Sequence, residues 1–275
     1  MKLSKLRIAT IALLFSLILI LPLRVKASGS SYSAAFVYAG NSAAALDFKK
    51  FLSSYGITVN LITNSSAASQ NYSTYNLIII GNDTAYEGQT DWINWTAASL
   101  INASGKPILG LGVGGSYFFN DVAQNIGWGM GWVGFDNGTR VVNATSAIFT
   151  HPTSITIPAD GIIQLYNSNT IDVDIGVPSP IAGVTLLGSQ VTNSSYYPLI
   201  MEGTRYFLWG FGGSPSNMTQ TGKNLFANVV SYLTSGTTIP EIPDLSMLLL
   251  TFLLSTTVAV VATKRSSALH YKRES

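Results

Sequence analysis

The chain has 275 residues, with 15 Lys and Arg against 13 Asp and Glu, a formal net charge of +2 and no cysteine. Without cysteine there are no disulfides, no thiol nucleophile and no thiolate metal site. The positive excess lies at the two ends: residues 28–239 hold six cations (Lys49, Lys50, Lys106, Arg140, Arg205 and Lys223) against ten carboxylates, a net of −4, and with no basic stripe a nucleic-acid partner is not expected.

Lys2, Lys5 and Arg7 precede an apolar run from Ile8 to Leu23, and Val25-Lys26-Ala27 places small residues where a signal peptidase reads. Residues 1–27 therefore read as a secretory signal cleaved after Ala27, with an uncleaved N-terminal anchor as the alternative. A polar linker, Ser28 to Ser33, leads into an alternation of strands and helices. Strands are expected at Ala34–Ala39, Thr58–Thr63, Asn76–Gly81 and Lys106–Leu111, and helices at Ser42–Tyr55 and Asp91–Asn102. The Leu-Ile-Ile-Ile run after Asn76 suits a central parallel strand covered on both faces. Strand–helix–strand order implies right-handed crossovers and a parallel sheet.

The second half is richer in extended segments: Arg140–Val142, Ser154–Ile157, Ile162–Leu165, Gly183–Leu187, Pro198–Glu202 and Tyr206–Phe211. A closing helix is expected from Ser216 to Leu233, with Pro215 in its first turn. Residues 236–244 form a Pro-containing stalk, and the 19 uncharged residues from Leu245 to Thr263 match the thickness of a bilayer. Lys264, Arg265, Lys272 and Arg273 follow, which assigns 264–275 to the cytoplasm and the domain between the termini to the outside. The expected localisation is thus the cell membrane with an extracellular domain. Nine Asn-X-Ser/Thr triplets, at Asn64, Asn71, Asn82, Asn94, Asn102, Asn137, Asn143, Asn193 and Asn217, suggest a glycosylated surface.

The stretch Lys106-Pro107-Ile108-Leu109-Gly110 runs into Leu111-Gly112-Val113-Gly114-Gly115-Ser116. This strand, glycine-rich turn and helix resemble the nucleophile elbow of class I glutamine amidotransferase-like proteins. Thr150-His151-Pro152-Thr153 resembles the His-Pro segment of their trehalose-utilisation-like branch, and Arg205-Tyr206-Phe207-Leu208-Trp209-Gly210-Phe211 with the helix after it completes the likeness over residues 34–235. The resemblance implies an α/β fold, a flavodoxin-like parallel sheet flanked by helices with a strand-rich second half. It also implies a lost reaction: Gly112 stands where the family carries its cysteine, and Phe211-Gly212-Gly213 where it carries a histidine.

Other polar residues are each open to two readings. Ser116 lies past the turn and either caps the helix or reacts. His151, the one histidine between the termini, either sits in a loop or stands at a site rim; a single histidine and no cysteine make no zinc site, and no metal or cofactor is expected. Glu202 either approaches the carboxyl edge of the sheet, where open α/β sheets bind ligands, or pairs with Arg205. Asp172 and Asp174 share one face of a strand by period two, either on a solvent-facing edge or, with a carbonyl, around calcium. Trp128 and Trp132, in Gly127-Trp128-Gly129-Met130-Gly131-Trp132, either pack as a lid or stack on a sugar or partner. Gly110, Gly112, Gly114 and Gly115 lack dinucleotide spacing, and no P-loop lysine follows.

Ile239-Pro240-Glu241-Ile242-Pro243, with the apolar span and Lys264-Arg265 beyond it, resembles the Pro-Glu-Phe type sorting signals of archaeal surface proteins, with Ile242 where the pattern prefers phenylalanine. That resemblance implies cleavage and re-anchoring by an archaeosortase; an ordinary transmembrane helix is the alternative. The combined expectation is a pseudoenzyme: a membrane-anchored surface domain that binds an envelope glycan or surface protein through Gly112, Gly114, Gly115, Ser116, Trp128, Trp132, His151 and Glu202. The rivals are an extracellular carbohydrate-active or amide hydrolase with a rearranged site, and an accessory component of a membrane transporter.

Overall fold

The computed structural model describes residues 32–86, 88–89, 92–177 and 181–234. The signal segment 1–27, the stalk, the apolar span 245–263, the basic tail and the Pro240–Pro243 motif lie outside the described residues. Among the described residues no helix is long and apolar enough to cross a membrane.

Five parallel strands form the centre: β1 (Ser33–Tyr38), β2 (Thr58–Thr63), β3 (Leu77–Ile80), β4 (Ile108–Leu111) and β12 (Tyr206–Trp209), in the order β2-β1-β3-β4-β12. That is the flavodoxin-type order, in which the chain reverses direction between β1 and β3. An antiparallel extension of β11 (Leu199–Glu202), β9 (Val184–Ser189), β6 (Gly138–Val141) and β7 (Ile162–Gln164) completes nine strands. A separate three-stranded antiparallel sheet has β8 (Thr170–Gly176) between β5 (Gly131–Asp136) and β10 (Tyr196–Tyr197).

Alternation along the strands separates two cores. Ala34, Phe36, Leu77, Ile79, Leu109 and Trp209 face α1 (Ser42–Ser54) and α4 (Gln220–Thr234), which contribute Phe48, Leu52, Phe226 and Val230. Ala35, Val37, Ile78, Ile80 and Leu208 face α2 (Trp95–Ala103) and α3 (Gly112–Asp121), through Ile101, Tyr117 and Phe118. Val173 and Ile175 of β8 join this second core, so the small sheet lies over α3. Burying a ring the size of Phe226 or Phe118 contributes about 2 kcal/mol.

Side-chain caps set the helix starts. Asn41 Oδ1 accepts from the Ala44 amide at 3.0 Å, and Asn94 Oδ1 from the Ala97 amide at 3.0 Å. The second cap moves the start of α2 from Asp91 to Trp95. The closing helix likewise begins at Gln220, because Pro215–Asn217 form a separate 3-10 turn. Ser154–Ile157, expected as extended pairing, joins no strand. The Gly127–Trp132 stretch, expected as a loop, runs into a strand, β5, at Gly131.

Candidate functional site

In a flavodoxin-type sheet, ligands bind outside the carboxyl ends of the strands at the β1/β3 reversal. Four segments meet there: the β1–α1 loop, the residues after β3, the β4–α3 turn and Gly210–Gly213 after β12. Leu111 ends β4 in extended conformation, Gly112 turns the chain with φ +48°, and α3 begins. This left-handed residue at a strand–helix junction is the elbow the sequence suggested.

The elbow is filled. Asn82, just after β3, points its side chain between Gly112 and Gly212, and its Oδ1 accepts from the Val113 amide at 2.9 Å. A Cβ on Gly112 would collide with that Oδ1, so a side chain at 112 would require the Asn82 amide to move aside and release the Val113 amide. Gly212 lies directly against Gly112, and the position where a base would be expected carries no side chain. Gly114 presses on the Gly81 carbonyl and Thr84 Oγ1, and Gly115 on the backbone of Gly110. These glycines permit close backbone packing.

The next two residues close the rest of the crevice. Asp83 Oδ2 accepts from three successive amides of the β1–α1 loop, Ala39 at 3.1 Å, Gly40 at 2.8 Å and Asn41 at 2.5 Å. Consecutive amides of this kind make an anion nest, and here the chain's own carboxylate fills it. Thr84 Oγ1 donates to the Gly81 carbonyl at 2.8 Å and accepts from Trp92 Nε1 at 2.7 Å. What remains is a cavity of about 30 Å³ lined by Phe36, Asn41, Asn82, Asp83, Leu111 and Gly212, room for water and far below the size of an organic ligand site.

The other expected site residues do not converge on this place. Ser116 is buried and its hydroxyl donates to the Val113 carbonyl at 2.8 Å, inside α3. Glu202 stands at the amino edge, because β11 runs antiparallel to β12 and pairs Glu202 with Tyr206. Its carboxylate receives the Asn125 amide and Nδ2, both at 2.7 Å. Arg205 instead donates to the Lys106 and Asn102 carbonyls and the Tyr206 hydroxyl, so both readings of Glu202 are corrected. His151 is exposed, its Nδ1 2.8 Å from Thr150 Oγ1. Its loop is tied to the middle of α4, where Asn228 bonds Ile148 and Thr153. Trp128 stacks on Tyr117 at 4.9 Å, whereas Trp132 is 63% exposed.

The acceptor triplets divide as well. Asn71, Asn193 and Asn217 are exposed and Asn64 is buried. Asn82 is held at the elbow, and Asn94 spends its Nδ2 on the Asn64 carbonyl at 2.9 Å. Asn102, Asn137 and Asn143 are half-buried.

A second polar cluster lies on the small sheet. Asp172 and Asp174 are fully buried on the central strand β8, not on a solvent-facing edge. Register places Trp132 opposite Asp174, Gly134 opposite Asp172 and Asp136 opposite Thr170, all on the face away from Val173. Burial and mutual repulsion, with Asp136 adding to it, push the Asp174 carboxyl up to about 8, and burial with Asp136 pushes Asp172 up to about 7. The roles of Asp83, Gly134, Asp136 and Gln190 were not foreseen from the sequence. The alternation Ile171-Asp172-Val173-Asp174-Ile175 gave no signal of the pair's burial, because period two reads as a strand covered on one face only.

The fold and the closed elbow together define an α/β domain of flavodoxin-type strand order whose customary crevice is occupied by its own side chains. Among solved structures the chain is similar to a GMP synthase component from Thermoplasma acidophilum, at 15% identity and TM-score 0.48 over 75% of this chain and 96% of that one. It is also similar to PurLQS from Thermotoga maritima, at 16% identity and TM-score 0.46 over 74% and 100%. No protein-family model and no curated protein matches the sequence.

Proposed function

We propose that this chain is a non-catalytic binding module held at the cell surface, recognising an envelope glycan or surface protein through the Trp132 face of its small sheet. The observation that carries the reading is Asn82: its amide occupies the place of a nucleophile and takes the Val113 amide that would otherwise face a substrate oxygen. Trp132 supports the choice of face. Its exposed indole lies 6.5 Å from the Tyr196 ring, tilted by 49°, a pair of aromatic surfaces able to stack on a sugar or a partner side chain.

Display at the surface rests on the sequence. In this reading signal peptidase removes residues 1–27, the span 245–263 anchors the chain, and 264–275 faces the cytoplasm. An archaeosortase cuts at Pro240-Glu241-Ile242-Pro243. Glycans are carried by Asn71, Asn193 and Asn217, the acceptors with exposed side chains.

The test uses the full chain purified from its own membranes. Its intact mass is expected to begin near Ser28 and to include glycan, and it is expected to bind an envelope fraction with at least tenfold loss in Trp132→Ala. Undiminished binding by that variant would remove the face from the proposal, and an unmodified full-length mass would remove the processing.

A second reading, a glycoside hydrolase, draws on the paired carboxyls Asp172 and Asp174, one of which would be protonated at neutral pH. Their complete burial counts against it, because a substrate needs a path to both.

A further inference from the structure

The Asp172–Asp174 pair is the one carboxylate cluster among the described residues that the protein leaves without compensation. Neither side chain has accessible surface, and among the described residues no donor completes a hydrogen bond to any of their four oxygens. The backbone amides of Asp172 and Asp136 lie near the Asp172 carboxyl and pull it down somewhat, without closing a bond on it. Buried carboxylates ordinarily hold two or three donors or a cationic partner. The charges that act on this pair are each other and Asp136, all of the same sign. Among the described residues the guanidinium groups are committed elsewhere, Arg140 to the Asp160 carbonyl and Arg205 to those of Lys106 and Asn102.

The oxygens also converge. The point where a Cβ on Gly134 would stand is 2.7 Å from Asp172 Oδ1, 2.8 Å from Asp174 Oδ2 and 3.1 Å from Gln190 Nε2. Glycine at 134 lets the two carboxyls and the Gln190 amide lie together against the β5 backbone, since any larger residue would put a carbon against all three groups. Gln190 enters from another element, the segment after β9, where its backbone amide bonds the Tyr196 carbonyl at 2.8 Å. Half a rotation of its side-chain amide exchanges Nε2 for Oε1, turning a donor to carboxylates into a third oxygen ligand.

We propose that Asp172, Asp174 and Gln190 form a binding site for a hard divalent cation, calcium by its ligand chemistry, which ties the middle strand of the small sheet to the segment after β9. The donor set is all oxygen, which disfavours zinc and copper and suits calcium or magnesium. Among the described residues no third His, Asp or Glu closes on the same point to hold a metal, so water and main-chain carbonyls fill the remaining positions. Calcium tolerates such an irregular and partly hydrated shell, whereas magnesium demands near-octahedral order. Asp136, with its Oδ1 accepting the Asn137 amide at 2.7 Å, adds negative potential without reaching the ion. This site stands apart from the recognition role proposed above and does not depend on it.

The experiment takes the full chain in detergent, stripped with a chelator, at pH 8, and titrates it with calcium chloride while following thermal unfolding. In parallel, terbium emission is excited through tryptophan. Trp132 sits directly across from Asp174 and serves as the sensitiser. The expected result is a Tm that rises with the logarithm of calcium concentration and a terbium signal that calcium displaces. Asp174→Asn and Gly134→Ala lose both responses. Trp132→Phe loses the terbium signal and keeps the calcium shift, which excludes a merely structural role for the indole. A wild-type Tm indifferent to millimolar calcium overturns the proposal. So does a calcium response that survives in an Asp172→Asn/Asp174→Asn double variant, which is expected to fold because it removes buried charge without changing shape.

Discussion

The carboxyl edge of the main sheet and the Asp172–Asp174 face of the small sheet are both polar places within one domain, and they are finished in opposite ways. At the edge, Asn82, Asp83 and Thr84 meet an α3 amide, three loop amides and an indole N–H in turn. On the small sheet, Asp172 and Asp174 are buried with no such answer. The contrast separates a polar place the chain completes by itself from one it does not. At the carboxyl edge, Asn82 Oδ1, Asp83 Oδ2 and Thr84 Oγ1 each hold a partner within the chain. Where it leaves groups unsatisfied, a ligand or a proton has to complete them.

Three substitutions can break or sharpen that contrast. The largest effect belongs to Gly114→Ala, whose methyl would enter the Gly81 carbonyl and Thr84 Oγ1. With backbone on one side there is nowhere to move, and a loss of about 3 kcal/mol or more is expected in denaturant unfolding. A fully stable variant would mean that the edge is looser than its contacts indicate. Asp83→Ala comes next. It strands three loop amides and should cost about 2 kcal/mol, offset in part by added sulfate or phosphate if the nest accepts an external anion.

The third substitution has the opposite sign: Asp174→Asn under chelation. Its carboxyl, raised from 3.8 to about 8, keeps its proton in the folded chain after the unfolded chain has released its own. The unfolded state therefore binds fewer protons between those values, stability falls as pH rises from about 4 to about 8, and the full penalty remains above that. Asp172 contributes in the same direction up to about 7. The asparagine variant is expected to flatten this slope and to be more stable than wild type at pH 8. A steeper slope in the variant would show that the pair is not the source.

How much of this was legible in the sequence follows from the kind of signal involved. The parallel half was readable because Leu77-Ile78-Ile79-Ile80 and Ala34-Ala35-Phe36-Val37 are apolar on both faces, which only a covered central strand tolerates. The elbow was readable from Gly110 to Gly115, since a tight strand–helix junction needs glycine. β5 was not, because Gly131-Trp132-Val133-Gly134-Phe135-Asp136 carries two glycines and reads as a loop until β8 supplies a partner. The burial of Asp172 and Asp174 was hidden for a related reason. Period two identifies which residues share a face, and the direction of that face is decided by contacts far away in sequence, here with α3 and Gly210–Phe211. Asn82 was visible only as a glycan acceptor, because nothing local reports that its side chain ends between two distant glycines.

The Asn82-Asp83-Thr84 bracket also bears on which substitutions this chain can accept. Each of the three residues braces a different element: α3, the β1–α1 loop and Trp92. A side chain at position 112 would require the Asn82 amide to swing away, and with it the bond to the Val113 amide would be given up. A substitution at 112 is therefore not judged at 112 alone: its cost is set across the crevice, at position 82.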